Sequence, residues 1–269
     1  MDLGLAGRVA VVTGASKGIG RAVADELVAS GVKVVISARG KEGLDRAVEE
    51  LQLISPLQGL ASVVGVLGDA TEPRATEAIV QAAVRLGGAD ILVNNAGGQS
   101  GHLPIERLTD EDWESAYRLN VVSSIRLTVA LLPHMRGQRW GRIVNVSSNT
   151  ARVPEPFCAP YAAAKAALVN LTRSLSRSYG AEGVCVNCVL PGLTFTEGAE
   201  AAFVEAMAAT GRSQDELVQS MLRRAPIDAG RMGTASEVAD AIVFLCSERA
   251  SWIMGVALPI DGGTIRSAP

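Results

Sequence analysis

The stretch that decides the fold reads Arg8-Val-Ala-Val-Val-Thr13, then Gly14-Ala-Ser-Lys-Gly18-Ile-Gly20, then Arg21-Ala-Val-Ala-Asp-Glu-Leu-Val-Ala-Ser30. The first segment is a short β-branched run, typical of a buried parallel strand. The last segment is an amphipathic helix that Gly31 ends. Glycines let the backbone approach an anion closely, and a helix N-terminus offers free N–H groups and a positive dipole. The stretch therefore predicts a strand, turn and helix that bind the phosphates of a dinucleotide.

The same alternation continues along the chain. Further strands are predicted at 32–37, 61–67, 90–94, 141–148, 184–190 and 256–260. Helices are predicted between them at 42–53, 76–86, 109–135, 159–179 and 235–246. This order predicts an α/β protein: a single-domain Rossmann fold over residues 1–269, with a doubly wound parallel seven-stranded sheet and helices on both faces. Pro259 predicts that the last strand lies at an edge of the sheet.

Residues 195–229 interrupt the alternation with two short amphipathic helices around Thr210-Gly211. The segment follows the carboxyl end of a strand, which is where ligands bind in open α/β sheets. We expect it to form a lid over a substrate. A purely structural helical pair is the alternative.

The end of the second strand indicates which nicotinamide cofactor the chain binds. In dinucleotide folds an acid at this position binds the free adenosine ribose, whereas Arg accommodates a 2′-phosphate. Here the sequence is Ser37-Ala38-Arg39, without an acid, and Lys17 in the glycine turn is a second cation nearby. NADP(H) is therefore favoured, and NAD(H) stays possible if Arg39 is only a solvated loop charge.

A phenol and an ammonium group share one helix face in Tyr161-Ala-Ala-Ala-Lys165. Residues four apart on a helix lie one above the other, about 5.4 Å along the axis. A neighbouring cation favours the tyrosine anion, so we expect Lys165 to lower the pKa of Tyr161 together with a cationic cofactor. The pair alone is also a common coincidence on helix surfaces.

Taken together, the motifs resemble the short-chain dehydrogenase/reductase family, in its single-domain Tyr-x-x-x-Lys type and especially its 3-oxoacyl-ACP reductase-like members. The matching residues, in family order and spacing, are Thr13-Gly-Ala-Ser-Lys-Gly-Ile-Gly20, Asp69, Asn94-Asn-Ala-Gly97, Asn120, Ser148, Tyr161, Lys165, Pro191-Gly192 and Asp261-Gly-Gly263. The resemblance covers nearly the whole chain, and it implies a nicotinamide cofactor and commonly a homotetramer.

The resemblance also implies roles for individual residues. Tyr161 would be the general acid in reduction and the base in oxidation, Ser148 would polarise the substrate, and Lys165 would bind the nicotinamide ribose. Asn120 would hold a water that links Lys165 to solvent, unless it makes only a structural bond. The implied cofactor-binding residues are Gly14, Ser16, Lys17, Gly18, Ile19, Gly20, Arg39, Asp69, Ala70, Asn95, Ala96, Gly97, Tyr161, Lys165, Pro191, Gly192, Thr194 and Thr196.

Gln99 and His102 lie in a loop after the fourth strand and are candidate substrate contacts. Cys185 and Cys188 form a C-x-x-C within a buried strand, where residues three apart point to opposite faces, so no metal site is expected. The formal net charge of −3 without a basic cluster argues against nucleic-acid and membrane partners. The N-terminus shows no signal-peptide pattern, and we expect a cytoplasmic protein.

These observations predict an NADP(H)-dependent oxidoreductase that transfers hydride between nicotinamide and a small-molecule carbonyl or secondary alcohol, of ketone or 3-oxoacyl type. One alternative is an NAD(H)-dependent alcohol dehydrogenase of the same fold. Another is a nucleotide-binding scaffold without turnover, which loss of Tyr161, Lys165 or Ser148 would indicate. All three residues are present.

Overall fold

The computed structural model describes residues 2–55, 62–99, 103–224 and 227–266. Its strands are β1 (Val9–Thr13), β2 (Lys33–Ala38), β3 (Val63–Leu67), β4 (Ile91–Asn94), β5 (Gly141–Val146), β6 (Val184–Pro191), β7 (Thr194–Phe195), β8 (Gly233–Thr234) and β9 (Ala257–Ile260). Its α-helices are α1 (Gly18–Ala29), α2 (Lys41–Ile54), α3 (Pro73–Leu86), α4 (Asp110–Tyr117), α5 (Ser123–Gln138), α6 (Ala159–Tyr179), α7 (Glu197–Thr210), α8 (Gln214–Arg224) and α9 (Ala235–Cys246).

Seven strands form one parallel sheet in the order β3-β2-β1-β4-β5-β6-β9. The order reverses between β1 and β4, which makes the crevice outside their carboxyl ends the expected ligand site. The predicted doubly wound parallel sheet is confirmed, and Pro259 lies on the edge strand β9, as predicted.

Alternate residues of the central strands face two separate cores. Ala10 and Val12 of β1 pack on one side, in a cluster that includes residues of α1, α2 and α9. Val11 packs on the other side, with residues of α3 and α5. Because both faces are covered, the central strands β1 and β4 are buried along their whole length, and this explains why they read as continuous apolar runs in the sequence.

The helix predicted at 109–135 is divided in the structure. Thr109 and Asp112 form a capping box at the start of α4. A π-helical turn, Arg118–Val122, then joins α4 to α5 and contains Asn120. Such turns are rare and are frequent at functional sites.

The segment after β6 contains the two helices that the sequence predicts, α7 and α8. It also contains a short strand pair that the sequence does not predict, in which Thr194 pairs with Gly233 and Phe195 with Thr234. This pair ties the start of the segment to the start of α9.

The four cysteines are buried and free, and no cluster of metal-ligating side chains occurs within the described residues. In the same part of the chain, each helix is too short or too polar to cross a bilayer.

Candidate functional site

A cavity of ≈ 460 Å³ opens where the sheet order reverses. The ends of β1, β2 and β4 and the loop after β3 surround it, as expected for the crevice of an open α/β sheet. It brings together nine of the predicted cofactor-binding residues: Gly14, Ser16, Lys17, Arg39, Asp69, Ala70, Asn95, Ala96 and Gly97. It also contains six residues that the sequence analysis does not assign to the cofactor: Ser37, Ala38, Gly40, Gly43, Gly68 and Leu119.

The glycine turn between β1 and α1 depends on the absence of side chains. Gly14 has φ +64° and Gly18 φ +62°, values that favour glycine. A Cβ on Gly20 would lie 2.4 Å from Asn95 Nδ2 and 2.6 Å from Gly14 O. The turn can therefore keep its backbone close to a bound phosphate only with glycine at these positions, and this fits a dinucleotide.

Asn95 lines the cavity, but its amide holds the turn. Asn95 Nδ2 donates to Thr13 O at 2.8 Å and to Gly14 O at 3.1 Å. Thr13 Oγ1 in turn accepts from the backbone N–H groups of Asn95 and Ala96, at 3.0 and 2.8 Å. The side-chain amide of Asn95, a predicted cofactor-binding residue, therefore bonds β1 and the glycine turn to the loop after β4.

Lys17 and Arg39, the two residues predicted to bind the 2′-phosphate, lie on the cavity wall and are exposed. Arg39 Nη1 is 4.0 Å from Asp69 Oδ2, and the Arg39 side chain is 76% exposed, so this ion pair is loose. Hydrogen bonds from Thr71, and secondarily the charge of Arg39, lower the pKa of Asp69. Asp69 is thus held as an anion, while Arg39 can turn toward a ligand.

A second group of residues gathers at the end of β5. Ser148 and Tyr161 are neighbours, and hydrogen bonding with the Ser148 hydroxyl lowers the pKa of Tyr161. Ser148 Oγ also accepts from Thr150, from its N at 3.2 Å and its Oγ1 at 3.0 Å. Lys165 Nζ lies 5.5 Å from the centroid of the Tyr161 ring. One wall of the site therefore carries two hydroxyl groups and an ammonium group.

Lys165 is held from two directions on β5. Its Nζ donates to Val146 O at 2.8 Å, and its carbonyl accepts from Ser147 Oγ at 2.8 Å. Ser147 thus fixes α6 against the end of β5, whereas Ser148 is the serine beside Tyr161. Burial lowers the pKa of Lys165 to about 8, and Cys188 nearby opposes this shift.

The pKa of Tyr161 shifts opposite to the expectation. Burial raises it above the ordinary value, and the hydrogen bond with Ser148 offsets part of the rise. The lowering expected from Lys165 is not produced by the protein's own groups, because burial outweighs the other contributions and Lys165 Nζ is bonded to Val146 O. Tyr161 is therefore a protonated hydrogen-bond donor at neutral pH.

Asn120 makes structural hydrogen bonds, which is the alternative to its water-binding role. Its Nδ2 donates to Ala116 O and Gly98 O at 2.9 and 3.0 Å, and its Oδ1 accepts from Gly98 N at 3.1 Å. A Cβ on Gly97 would lie 2.6 Å from Asn120 Oδ1 and 2.9 Å from Lys165 Nζ. Asn120 and Lys165 thus flank Gly97, beside the large cavity.

The remaining predicted cofactor residues lie outside the cavity lining. Gly18, Ile19 and Gly20 form the first turn of α1, next to that lining. Pro191 ends β6, and Gly192 N donates to Ile260 O at 3.0 Å. Thr194 Oγ1 donates to Gly192 O at 3.0 Å, and Thr196 Oγ1 caps α7 by accepting from Ala199 N at 3.2 Å.

Of the two candidate substrate contacts, Gln99 lines a narrow cleft beside Tyr161, with Phe157 and Cys158. His102 lies outside the described residues. A separate cavity of ≈ 310 Å³ lies under α7 and α8, and most of its lining is apolar. Its lining residues are Leu193, Ala199, Phe203, Ala206, Arg212, Leu217, Ser220, Met221 and Met232.

Comparison with known proteins places this chain in a family. The family described as short chain dehydrogenase matches residues 8–206. FabG, the 3-oxoacyl-[acyl-carrier-protein] reductase of Escherichia coli (strain K12), is 36% identical over 96% of this chain and 97% of its own length. The uncharacterized oxidoreductase YvrD of Bacillus subtilis (strain 168) is 35% identical over 99% of this chain and 100% of its own length.

Among solved structures, L-sorbose reductase from Gluconobacter frateurii, complexed with NADPH and L-sorbose, superimposes with a TM-score of 0.94 at 33% identity, and the match covers 100% of both chains. This chain therefore belongs to the short-chain dehydrogenase family. It is an oxidoreductase of the NAD(P)-dependent type that acts on CH–OH groups, as the sequence analysis predicts.

Proposed function

We propose that the chain is an NADP(H)-dependent reductase of a ketone or 3-oxoacyl compound, with Tyr161 as the proton donor. The observation that carries this proposal is the neighbouring pair of Ser148 and Tyr161, with Lys165 Nζ 5.5 Å from the centroid of the Tyr161 ring, at the sheet edge that also carries the dinucleotide cavity. When bound, NADPH supplies the hydride, and the protein supplies orientation and proton management.

NADP(H) is the cofactor that this site takes, as the sequence predicts. Lys17 and Arg39 both line the cavity, and neither wall residue Ser37 nor Ala38 offers a carboxylate to a free ribose hydroxyl. L-sorbose reductase, which shares the fold over its whole length, was solved with NADPH. Among the described residues that line the cavity, Asp69 is the one acid, and its carboxylate accepts hydrogen bonds from Thr71.

The protein's part in the reaction follows from charge development. As hydride reaches a carbonyl carbon, negative charge grows on the oxygen, and donors aimed at that oxygen lower the barrier. Tyr161 and Ser148 are neighbouring hydroxyl donors, and the raised pKa keeps the Tyr161 proton in place until it is needed. Lys165, with its pKa of about 8, is the group that returns a proton toward Tyr161. Asn120, flanking Gly97 with Lys165, holds the end of this proton path.

The lid assigned to 195–229 supports a substrate with an apolar portion. Leu193 is the second residue after β6, and β6 lies beside β5, so the lid cavity and Ser148 share one edge of the sheet. Phe203, Leu217 and Met221 line that cavity. Such a wall suits an acyl or alkyl chain better than a polyhydroxylated sugar, because sugar hydroxyls placed there would lose hydrogen bonds to water.

We expect a series of 3-oxoacyl thioesters, lengthened from four to about eight carbons, to be reduced with increasing kcat/KM. Each buried methylene contributes up to about 0.8 kcal/mol, or roughly fourfold, until the cavity is full. The matched comparison is L-sorbose under the same conditions with NADPH. Faster turnover of L-sorbose than of every thioester would contradict the apolar substrate and leave the reductase assignment in place.

Arg39→Ala tests the cofactor assignment by titration with NADPH and with NADH, followed by nicotinamide fluorescence. Loss of a charged contact to the 2′-phosphate should weaken NADPH binding roughly 10- to 100-fold and leave NADH binding unchanged. Arg46→Ala, an exposed arginine on α2, is the matched control. Unchanged NADPH affinity in Arg39→Ala would favour NAD(H) and the alcohol dehydrogenase alternative. Absence of binding of either nucleotide to the wild type would favour the scaffold.

The homotetramer, the single domain over 1–269 and the cytoplasmic location stay predictions.

A further inference from the structure

The start of the lid contacts the glycine turn. Gly18 N, at the start of α1, donates to Glu197 Oε2 at 2.8 Å, across 179 residues of sequence. Glu197 is the first residue of α7, and the methyl carbon of Thr196 lies 3.5 Å from the place where a Cβ of Gly18 would be. The start of the lid therefore contacts the glycine turn, which is predicted to bind the phosphates of the cofactor.

This carboxylate lies where an anionic ligand is expected. The first N–H groups of a helix lack partners within the helix, and its dipole favours negative charge at that end. In α1 the N-cap residue Lys17 makes no side-chain capping bond, and the first turn carries no acidic residue. Glu197, from a distant segment, supplies the anion to Gly18 N instead.

A pyrophosphate and a carboxylate cannot both occupy this position. Each would accept from the same N–H group, and two anions at hydrogen-bond distance from one donor repel each other. If the pyrophosphate binds at the N-terminus of α1, the Glu197 carboxylate has to leave it. Because Glu197 begins α7, its departure frees the end of the helix that carries Ala199 and Phe203 of the apolar cavity.

We propose that Glu197 is a positioning residue that competes with the cofactor pyrophosphate for the N-terminus of α1 and so couples cofactor binding to the substrate lid. The inference rests on the proposed function, since it needs a dinucleotide at the glycine turn. It makes the cofactor the first ligand to bind: the lid stays docked on α1 until the pyrophosphate displaces Glu197. The contact lowers cofactor affinity and holds the lid near its site in the free enzyme.

The test is the dissociation constant of NADPH for Glu197→Ala and Glu197→Gln. Both variants should bind NADPH more tightly than the wild type, by about tenfold for Ala and less for Gln, which keeps a neutral acceptor. Glu200→Ala is the matched control, because Glu200 lies in the same first turn of α7 and its removal changes the net charge and the helix dipole equally. The control should leave the NADPH dissociation constant unchanged.

A second ligand separates competition for the pyrophosphate from a general effect on the cavity. Adenosine 2′-monophosphate has the adenine and the 2′-phosphate but no pyrophosphate, so its affinity should be the same in the wild type and both variants. If NADPH binds the wild type tightly and neither Glu197 variant binds it more tightly, the role of Glu197 is wrong while the proposed function stands. The same conclusion follows if Glu200→Ala raises NADPH affinity equally. If NADPH binds neither the wild type nor the variants, the proposed function fails instead.

Discussion

Tyr161→Phe is expected to lower kcat for carbonyl reduction by about 10³-fold, within the 10²- to 10⁴-fold range for a general acid. The variant removes one oxygen atom, and with it the proton donor and the hydrogen bond to Ser148. NADPH affinity should stay within about threefold of the wild type, because the large cavity does not include Tyr161. The measurement is single-turnover NADPH oxidation with a 3-oxoacyl thioester, together with a fluorescence titration of the cofactor.

Tyr179→Phe is the control for this variant, because Tyr179 lies at the far end of the same helix, α6. Its ring contacts Arg136, 5.6 Å from the ring centroid, and we expect turnover to be unchanged. Full activity in Tyr161→Phe would mean that another group donates the proton, and Ser148 would then be the candidate to test.

The raised pKa of Tyr161 adds a pH dependence to this experiment. Because burial favours the neutral phenol, Tyr161 is ready to donate a proton at neutral pH but is a poor base there. The wild type should therefore reduce carbonyls at neutral pH and oxidise alcohols efficiently only at alkaline pH. An oxidation rate that is already at its plateau near neutral pH would show that the bound cofactor lowers the pKa of Tyr161, as the sequence analysis expected.

The inner strands of the sheet could be predicted from the sequence because they are buried on both faces. Val11 and Val35 face one core while the next residues, Val12 and Ile36, face the other, so apolar residues run on without a break. The helices between them keep the 3.6-residue period, since one face of each is solvated. Both patterns are local in the sequence. They predict the order of the elements and the strand ends at which the cavity forms.

Features that depend on long-range packing gave no such signal. The π-helical turn at Asn120 lies within the segment predicted as one helix, and no glycine or proline in residues 109–123 marks it. The strand pair of Thr194 and Phe195 with Gly233 and Thr234 is too short for a period of two to show. The bond between Glu197 and Gly18 joins segments 179 residues apart, and an acidic residue at a helix start is otherwise ordinary.

The pKa of Tyr161 also depends on long-range packing, so the sequence could not predict the direction of its shift. The spacing of Tyr161 and Lys165 correctly placed the two side chains together, 5.5 Å from Nζ to the ring centroid. It could not show that burial of the phenol outweighs its hydrogen bond with Ser148, because burial depends on the whole fold. It also could not show that Val146 O accepts a hydrogen bond from Lys165 Nζ.

Lys165→Met should impair both turnover and cofactor binding. The substitution keeps the length of the side chain but removes the ammonium group, which leaves Val146 O without that donor. We expect kcat to fall at least 10²-fold and NADPH binding to weaken roughly 10-fold, since a charged hydrogen bond to the nicotinamide ribose is lost. Lys41→Met, on the exposed start of α2, is the control and should match the wild type in both.

The same variant tests the pKa of Lys165 through stability. The folded pKa is about 8, below the ordinary 10.5, so between these values the unfolded chain binds a proton that the folded chain has lost. The unfolding free energy of the wild type, relative to Lys165→Met, should therefore rise with pH across this window, by about 3 kcal/mol in total. Below pH 8 the buried Lys165 ammonium group lowers the unfolding free energy by its full amount, and above pH 10.5 this destabilisation is absent.

Urea unfolding of both proteins, freed of nucleotide, at a series of pH values measures this difference directly. A difference that stays flat from neutral pH to about 10.5 would mean that Lys165 keeps an ordinary pKa in the fold. With the shift in place, carbonyl reduction should decline as pH rises through about 8, because Lys165 then loses the proton that it returns toward Tyr161. If the unfolding free energy and the reduction rate change at the same pH, both changes belong to Lys165, because Lys165→Met removes that ammonium group alone.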